Sequence, residues 1–103
     1  MSERFDMRLD GRHALVCGAS AGIGRAAACA LAELGAHVTA LARSEDALLE
    51  VVAEIEAGGG SGDVLVADLD DRESLCDAIA ALLAGSGPVH ILVNNSGGPP
   101  SGG

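Results

Sequence analysis

A chain of 103 residues has room for one small domain and no more. Its net charge of −9 and pI near 4.4 oppose binding to nucleic acid or to an anionic membrane surface. Apolar residues make up 49% of the chain, enough for a core, yet there is 1 Phe, no Tyr and no Trp, and the 6 basic residues are all Arg, so Lys is absent.

Cys17, Cys29 and Cys76 are odd in number, widely spaced and without a C-x-x-C pair. That usage fits a reduced, cytoplasmic protein better than a disulfide framework or a zinc site. Met1 to Asp10 mixes both charges and does not read as a signal peptide, and no apolar run reaches membrane-spanning length.

In chain order, a polar lead-in ends in an Asp10-Gly11 turn, and His13-Ala14-Leu15-Val16 reads as a short buried strand. A glycine-rich stretch from Val16 to Gly24 follows, and then a helix over Arg25 to Leu34. Ile23, Ala27, Ala30, Leu31 and Leu34 supply that helix's apolar repeat, and Gly35 ends it. His37 to Ala42 is a second strand. Ser44 is placed to cap the next helix, with Glu45 and Asp46 in its first turn and Leu48, Val51, Val52 and Ile55 as its buried stripe.

Gly58 to Gly62 reads as a flexible connector, and Val64 to Ala67 as a third strand ending at Asp68. Leu75, Ala78, Ile79, Leu82 and Leu83 mark a third helix, closed by Gly85 and Gly87. Pro88 leads into a fourth strand, Val89 to Val93, followed by Asn94-Asn95-Ser96-Gly97. Residues 98–103 are Gly, Pro and Ser alone and read as a disordered tail.

The order βαβαβαβ with continuously apolar strands implies an α/β fold with a parallel sheet covered on both faces. Right-handed crossovers lead to the strand order 3-2-1-4, the first half of a doubly wound Rossmann-type domain plus one strand. Residues 1–103 then form one domain, and its ligand crevice lies at the carboxyl ends of strands one and four.

A strand, a glycine turn and a helix form the unit that binds a pyrophosphate. Glycine lets the backbone turn tightly and approach closely, and the helix's free N–H groups face the phosphate oxygens. Here the spacing is G-x-x-x-G-x-G at Gly18, Gly22 and Gly24, not G-x-G-x-x-G. The bland alternative is a tight turn without a ligand.

The stretch Cys17-Gly18-Ala19-Ser20-Ala21-Gly22-Ile23-Gly24 resembles the T-G-x-x-x-G-I-G loop of the short-chain dehydrogenase/reductase family, with Cys17 in place of Thr. Asn94-Asn95-Ser96-Gly97 resembles that family's N-N-A-G motif, whose backbone lies against the nicotinamide ribose. Asp68-Leu69 resembles its adenine-contacting pair, although an Asp at a strand end also serves as a helix cap.

Arg43-Ser44 after strand two resembles the NADP-preferring pattern, because an Arg suits a 2′-phosphate where a carboxylate would hold the 2′-hydroxyl of NAD. A solvated surface Arg is the alternative there. The resemblance thus implies a dinucleotide, NADP first and NAD second, held by Gly18, Ser20, Gly22, Ile23, Gly24, Arg43, Ser44, Asp68, Leu69, Asn94, Asn95, Ser96 and Gly97. The wording from Asn94 to Pro100 is closest to 3-oxoacyl-acyl-carrier-protein reductases.

Family members transfer a hydride between NAD(P) and a carbonyl or alcohol carbon, with a Tyr-x-x-x-Lys pair and a Ser beyond the fourth strand. The resemblance covers nearly the whole chain but only the cofactor half of that pattern, so no catalytic residue and no metal ligand is assigned. Two readings follow. One is the N-terminal part of a short-chain oxidoreductase that binds dinucleotide but does not catalyse by itself, and meets a substrate only in a longer form. The other is a stand-alone, non-catalytic module that senses a dinucleotide or pairs with another chain.

The remaining residues have structural readings. His13, His37 and His90 stand at strand starts, away from the crevice. Asp70, Asp71 and Glu73 fit the acidic first turn of a helix, and Cys29 and Cys76 behave as small hydrophobes. An uncovered fourth strand would expose an unpaired apolar edge, which implies self-association.

Overall fold

Parallel strands need a crossover between them, and each of the first three apolar runs of this chain is followed by a segment long enough to supply one as a helix. A computed structural model describes residues 8–94. Its elements are β1 (His13–Cys17), α1 (Gly22–Glu33), β2 (His37–Ala42), α2 (Glu45–Ala57), β3 (Ser61–Val66), α3 (Arg72–Ser86) and β4 (Ile91–Asn94). All pairings are parallel and the order is β3-β2-β1-β4, the arrangement expected from the pattern. Asn95, Ser96, Gly97 and the tail 98–103 lie outside the described residues.

Side-chain alternation divides the core in two. Ala14 and Val16 of β1 with Val38, Ala40 and Ala42 of β2 meet α1 and α2 on one face. On the other face Leu15, Cys17 and Leu41 meet Leu75, Ala78, Ile79 and Leu82 of α3. The first face is the tighter one. α2 buries Leu48, Val51, Val52 and Ile55, as its periodicity requires, whereas α3 buries no residue fully.

Helix α1 corrects the expected apolar stripe. Its buried residues are Gly24, Ala28 and Ala32, while Ile23 is 76% exposed and Ala30 is also exposed. Small residues four apart bring the helix backbone close to the sheet, so size rather than hydrophobicity selects the inward face. The helix also starts at Gly22, inside the glycine turn, and its end at Gly35 has φ 106°, where L side chains are strained.

Strand β3 begins at Ser61, three residues before the apolar run, within the stretch that reads as a flexible connector. Pairing with β2 organises it: Ser61 lies opposite His37, and Gly62 opposite Val38. A Cβ at Gly62 would sit 3.0 Å from the Val38 carbonyl oxygen, so glycine permits the close approach. The ring of His37 shares 2.8 Å hydrogen bonds with Ser61 Oγ and with an Asp63 carboxylate oxygen.

The other two histidines also hold strand starts together. His13 Nε2 shares a 2.8 Å bond with Thr39 Oγ1, and the His13 backbone N–H donates to His90 Nδ1 at 2.9 Å. All three imidazoles therefore lie at the amino ends of the strands and are engaged structurally. Cys76 departs from its expected role, because it lies on the exposed side of α3.

Candidate functional site

The turn after β1 is shaped by the main chain of β2. The N–H groups of Gly18 and Ala19 both donate to the Leu41 carbonyl, at 2.8 and 3.2 Å. Gly18 has φ 75° and Gly22 φ 61°, and among the described residues only glycines adopt positive φ. At Gly22 a Cβ would meet no protein atom within 4 Å, so the left-handed backbone, not crowding, requires glycine there.

Helix α1 starts differently from its neighbours. Ser44 Oγ accepts the Ala47 N–H to cap α2, and the Asp71 carboxylate accepts from Glu73 and Ser74 to cap α3, each helix also carrying acid in its first turn. Ala21 at the start of α1 offers no side-chain cap, and its first turn has no acid. Its leading N–H groups and positive dipole end therefore remain available to an anion.

Across the carboxyl ends of β1, β2 and β3 a shallow pocket forms. It gathers Gly18, Ser20, Arg43, Ser44, Asp68 and Leu69, which were marked separately in the sequence. Continuation of the β2–β3 pairing brings these segments together: the Ala67 N–H donates to the Ala42 carbonyl at 3.0 Å, placing Asp68 beside Arg43 at adjacent strand ends. Gly22, Ile23 and Gly24 are at the start of α1, outside that pocket's walls. Asn94 ends β4 opposite Cys17.

Asp68 is not the cap of α3, a role that falls to Asp71. Its Oδ1 accepts the Asp70 N–H at 2.9 Å, which orients the carboxylate in a local turn. Asp70 itself lines the pocket, with Ala42. The sequence pattern places Asp70 in a helix first turn, and only its position one residue ahead of the cap Asp71 distinguishes it.

Arg43 is exposed and makes no hydrogen bond or ion pair among the described residues, unlike Arg8, paired to Asp10, and Arg25, paired to Glu54. The pocket's charged side chains are thus one guanidinium and two carboxylates. Below its rim Cys17 is 5% exposed, and burial pushes its thiol above the ordinary range, so it stays protonated and unreactive at neutral pH.

A twisted parallel sheet with a glycine turn at its switch point and a pocket across its carboxyl edge defines a Rossmann-type nucleotide-binding unit. The match is specific: residues 12–103 fit the sequence model of the short chain dehydrogenases. The chain belongs to the short-chain dehydrogenase/reductase family.

A short chain dehydrogenase of Pseudocercospora fijiensis is 42% identical over 95 residues, covering 92% of this chain and 31% of the relative. The structure of a 7alpha-hydroxysteroid dehydrogenase with NADH and 7-oxo glycochenodeoxycholic acid superposes with TM-score 0.86 at 37% identity, over 95% of this chain and 38% of that one. L-sorbose reductase from Gluconobacter frateurii, complexed with NADPH and L-sorbose, gives TM-score 0.82 at 33% identity, over 90% of this chain and 36% of that one. The chain spans about a third of the length of the curated relatives it matches. Among the described residues no helix is long and apolar enough to cross a membrane.

Proposed function

We propose that this chain is the dinucleotide-binding half of an NADP-dependent short-chain oxidoreductase. The observation that carries the reading is the convergence of Gly18, Ser20, Arg43 and Asp68 on one pocket, next to a helix start that has neither cap nor acid. These residues fit a dinucleotide: the α1 N-terminus offers backbone N–H donors to a pyrophosphate, and the open space over Gly22 leaves room for it. Asp68 and Leu69 offer an acceptor and an apolar wall to an adenine, and the family resemblance of Asn94-Asn95-Ser96-Gly97 assigns that stretch to the nicotinamide ribose. Bound there, the nicotinamide would supply hydride exchange with a carbonyl or alcohol carbon. The substrate class is a carbonyl compound or the corresponding alcohol, with 3-oxoacyl thioesters suggested by the resemblance of the stretch from Asn94 to Pro100.

Cofactor choice runs through Arg43. The pyrophosphate is common to both dinucleotides, so the glycine turn does not distinguish them. A 2′-phosphate at the end of β2 meets a guanidinium that has no competing carboxylate bond. A charge-assisted hydrogen bond contributes roughly 1.5–3 kcal/mol, which corresponds to about a ten- to hundredfold preference for NADPH over NADH. Solvent exposure favours the lower end, and added salt should narrow the gap. Calorimetric titration should show Arg43→Ala losing most of this preference while NADH binding barely changes. Equal affinities in the unsubstituted chain would refute the assignment.

The free edge gives a second expectation. β4 pairs only with β1 among the described strands, and Leu92 is 63% exposed on it. An unpaired strand edge with an apolar face templates pairing with another chain. Sedimentation at rising concentration should reveal self-association, which Leu92→Lys should reduce. A clean monomer at the highest concentration would overturn this.

A further inference from the structure

We infer that Asp70 is a specificity-determining residue of this pocket, a fixed negative charge that holds back the preference for a 2′-phosphorylated dinucleotide. The inference rests on the reading of the pocket as the dinucleotide site and concerns how strongly it discriminates. Three carboxylates follow β3 within four residues, and the structure gives two of them local bonds. Asp68 accepts the Asp70 N–H at 2.9 Å, and Asp71 accepts the N–H groups of Glu73 and Ser74 at 3.1 and 3.2 Å.

The carboxylate of Asp70 has no such role. It makes no hydrogen bond or ion pair among the described residues, it is exposed, and it lines the same pocket as Arg43. Its backbone N–H is what the turn uses. The side chain can therefore change without undoing the fold, and the residue forms part of the wall that meets whatever occupies the pocket.

The sign follows from the occupants. A phosphate monoester brings close to two negative charges at neutral pH, whereas the 2′-hydroxyl of NAD brings none. Arg43 attracts that phosphate and Asp70 repels it across the same pocket. Within about one Debye length, roughly 8 Å at physiological salt, a unit charge opposing a doubly charged group changes affinity by roughly three- to tenfold. The pyrophosphate is shared by both cofactors, so its repulsion cancels in their ratio.

The test is calorimetric titration of the unsubstituted chain, Asp70→Asn and Asp77→Asn with NADPH and with NADH at low and high salt. Asp77 lies exposed on α3 outside the pocket, so its substitution removes the same net charge elsewhere. Asp70→Asn is expected to tighten NADPH about three- to tenfold and NADH less than about twofold, with the difference shrinking in salt. Asp77→Asn should leave the ratio unchanged. An unchanged ratio in Asp70→Asn, or an equal gain in Asp77→Asn, overturns the role of Asp70 while leaving the dinucleotide site standing. Binding of neither cofactor by the unsubstituted chain overturns the site itself, and this inference with it. Matching thermal unfolding of the three proteins excludes a folding defect as the source of any difference.

Discussion

With NADPH and an acetoacetyl thioester or a simple ketone, this chain by itself is expected to give no turnover above the uncatalysed rate. Reduction of a carbonyl needs a proton delivered to the developing alkoxide, and a positioned acid contributes typically about a hundred- to ten-thousandfold. In short-chain dehydrogenases, the resemblance assigns that proton to a Tyr assisted by a Lys, and these 103 residues contain neither. The histidines do not substitute. His13, His37 and His90 are at the amino ends of the strands, hydrogen-bonded to Thr39, to Ser61 and Asp63, and to the His13 backbone. A five-residue strand spans roughly 13–16 Å, which separates His13 from the cofactor edge. The assay follows loss of reduced nicotinamide by absorbance, with protein freed of host reductases. Clear turnover proportional to chain concentration would show that a proton donor exists here that the structure does not reveal.

The second large effect is on stability. Leu48 is fully buried on the inner face of α2, in the same cluster as Val51, Ile55, Val38 and Ala40. Much of that cluster is alanine, so few large side chains hold the helix to the sheet. Leu48→Ala should cost about 2–5 kcal/mol through lost burial and the cavity left behind. Domains of this kind have total stabilities of about 5–15 kcal/mol, and a small alanine-rich core points to the lower part of that range. The denaturation midpoint should drop steeply. Leu49 is 51% exposed, and its substitution by Ala should shift stability by no more than about 0.5 kcal/mol. Equal effects at the two positions would mean that α2 presents a different face to the sheet.

Local pattern carried much of this protein. Continuous apolar runs such as His37 to Ala42 identify buried parallel strands, because alternation would be needed only if one face met water. The stripe Leu48, Val51, Val52 and Ile55 placed α2 face inward, and Ser44 marked its start, since both signals are read within a turn or two of helix. The glycine spacing and the βαβ order were enough to give the strand order and the family resemblance, because crossover handedness leaves few alternatives.

Other features depend on neighbours distant in sequence, and only the tertiary structure decided them. β3 starts at Ser61 because β2 lies beside it with a matching register, which the glycine-rich wording of that stretch does not encode. α1 buries Gly24, Ala28 and Ala32 because close approach to the sheet favours small side chains over Ile23, and Ala30, two positions from Ala28 and Ala32, falls on the opposite side of the helix. Asp68, Asp70 and Asp71 read alike as an acidic run, yet one orients a turn, one lines the pocket and one caps a helix. Periodicity reports which residues share a face. What that face meets is set by the packing of segments tens of residues apart: that packing brings Asp70 into one pocket with Arg43, whereas the turn of Asp68 and the cap of Asp71 rest on bonds two or three residues away.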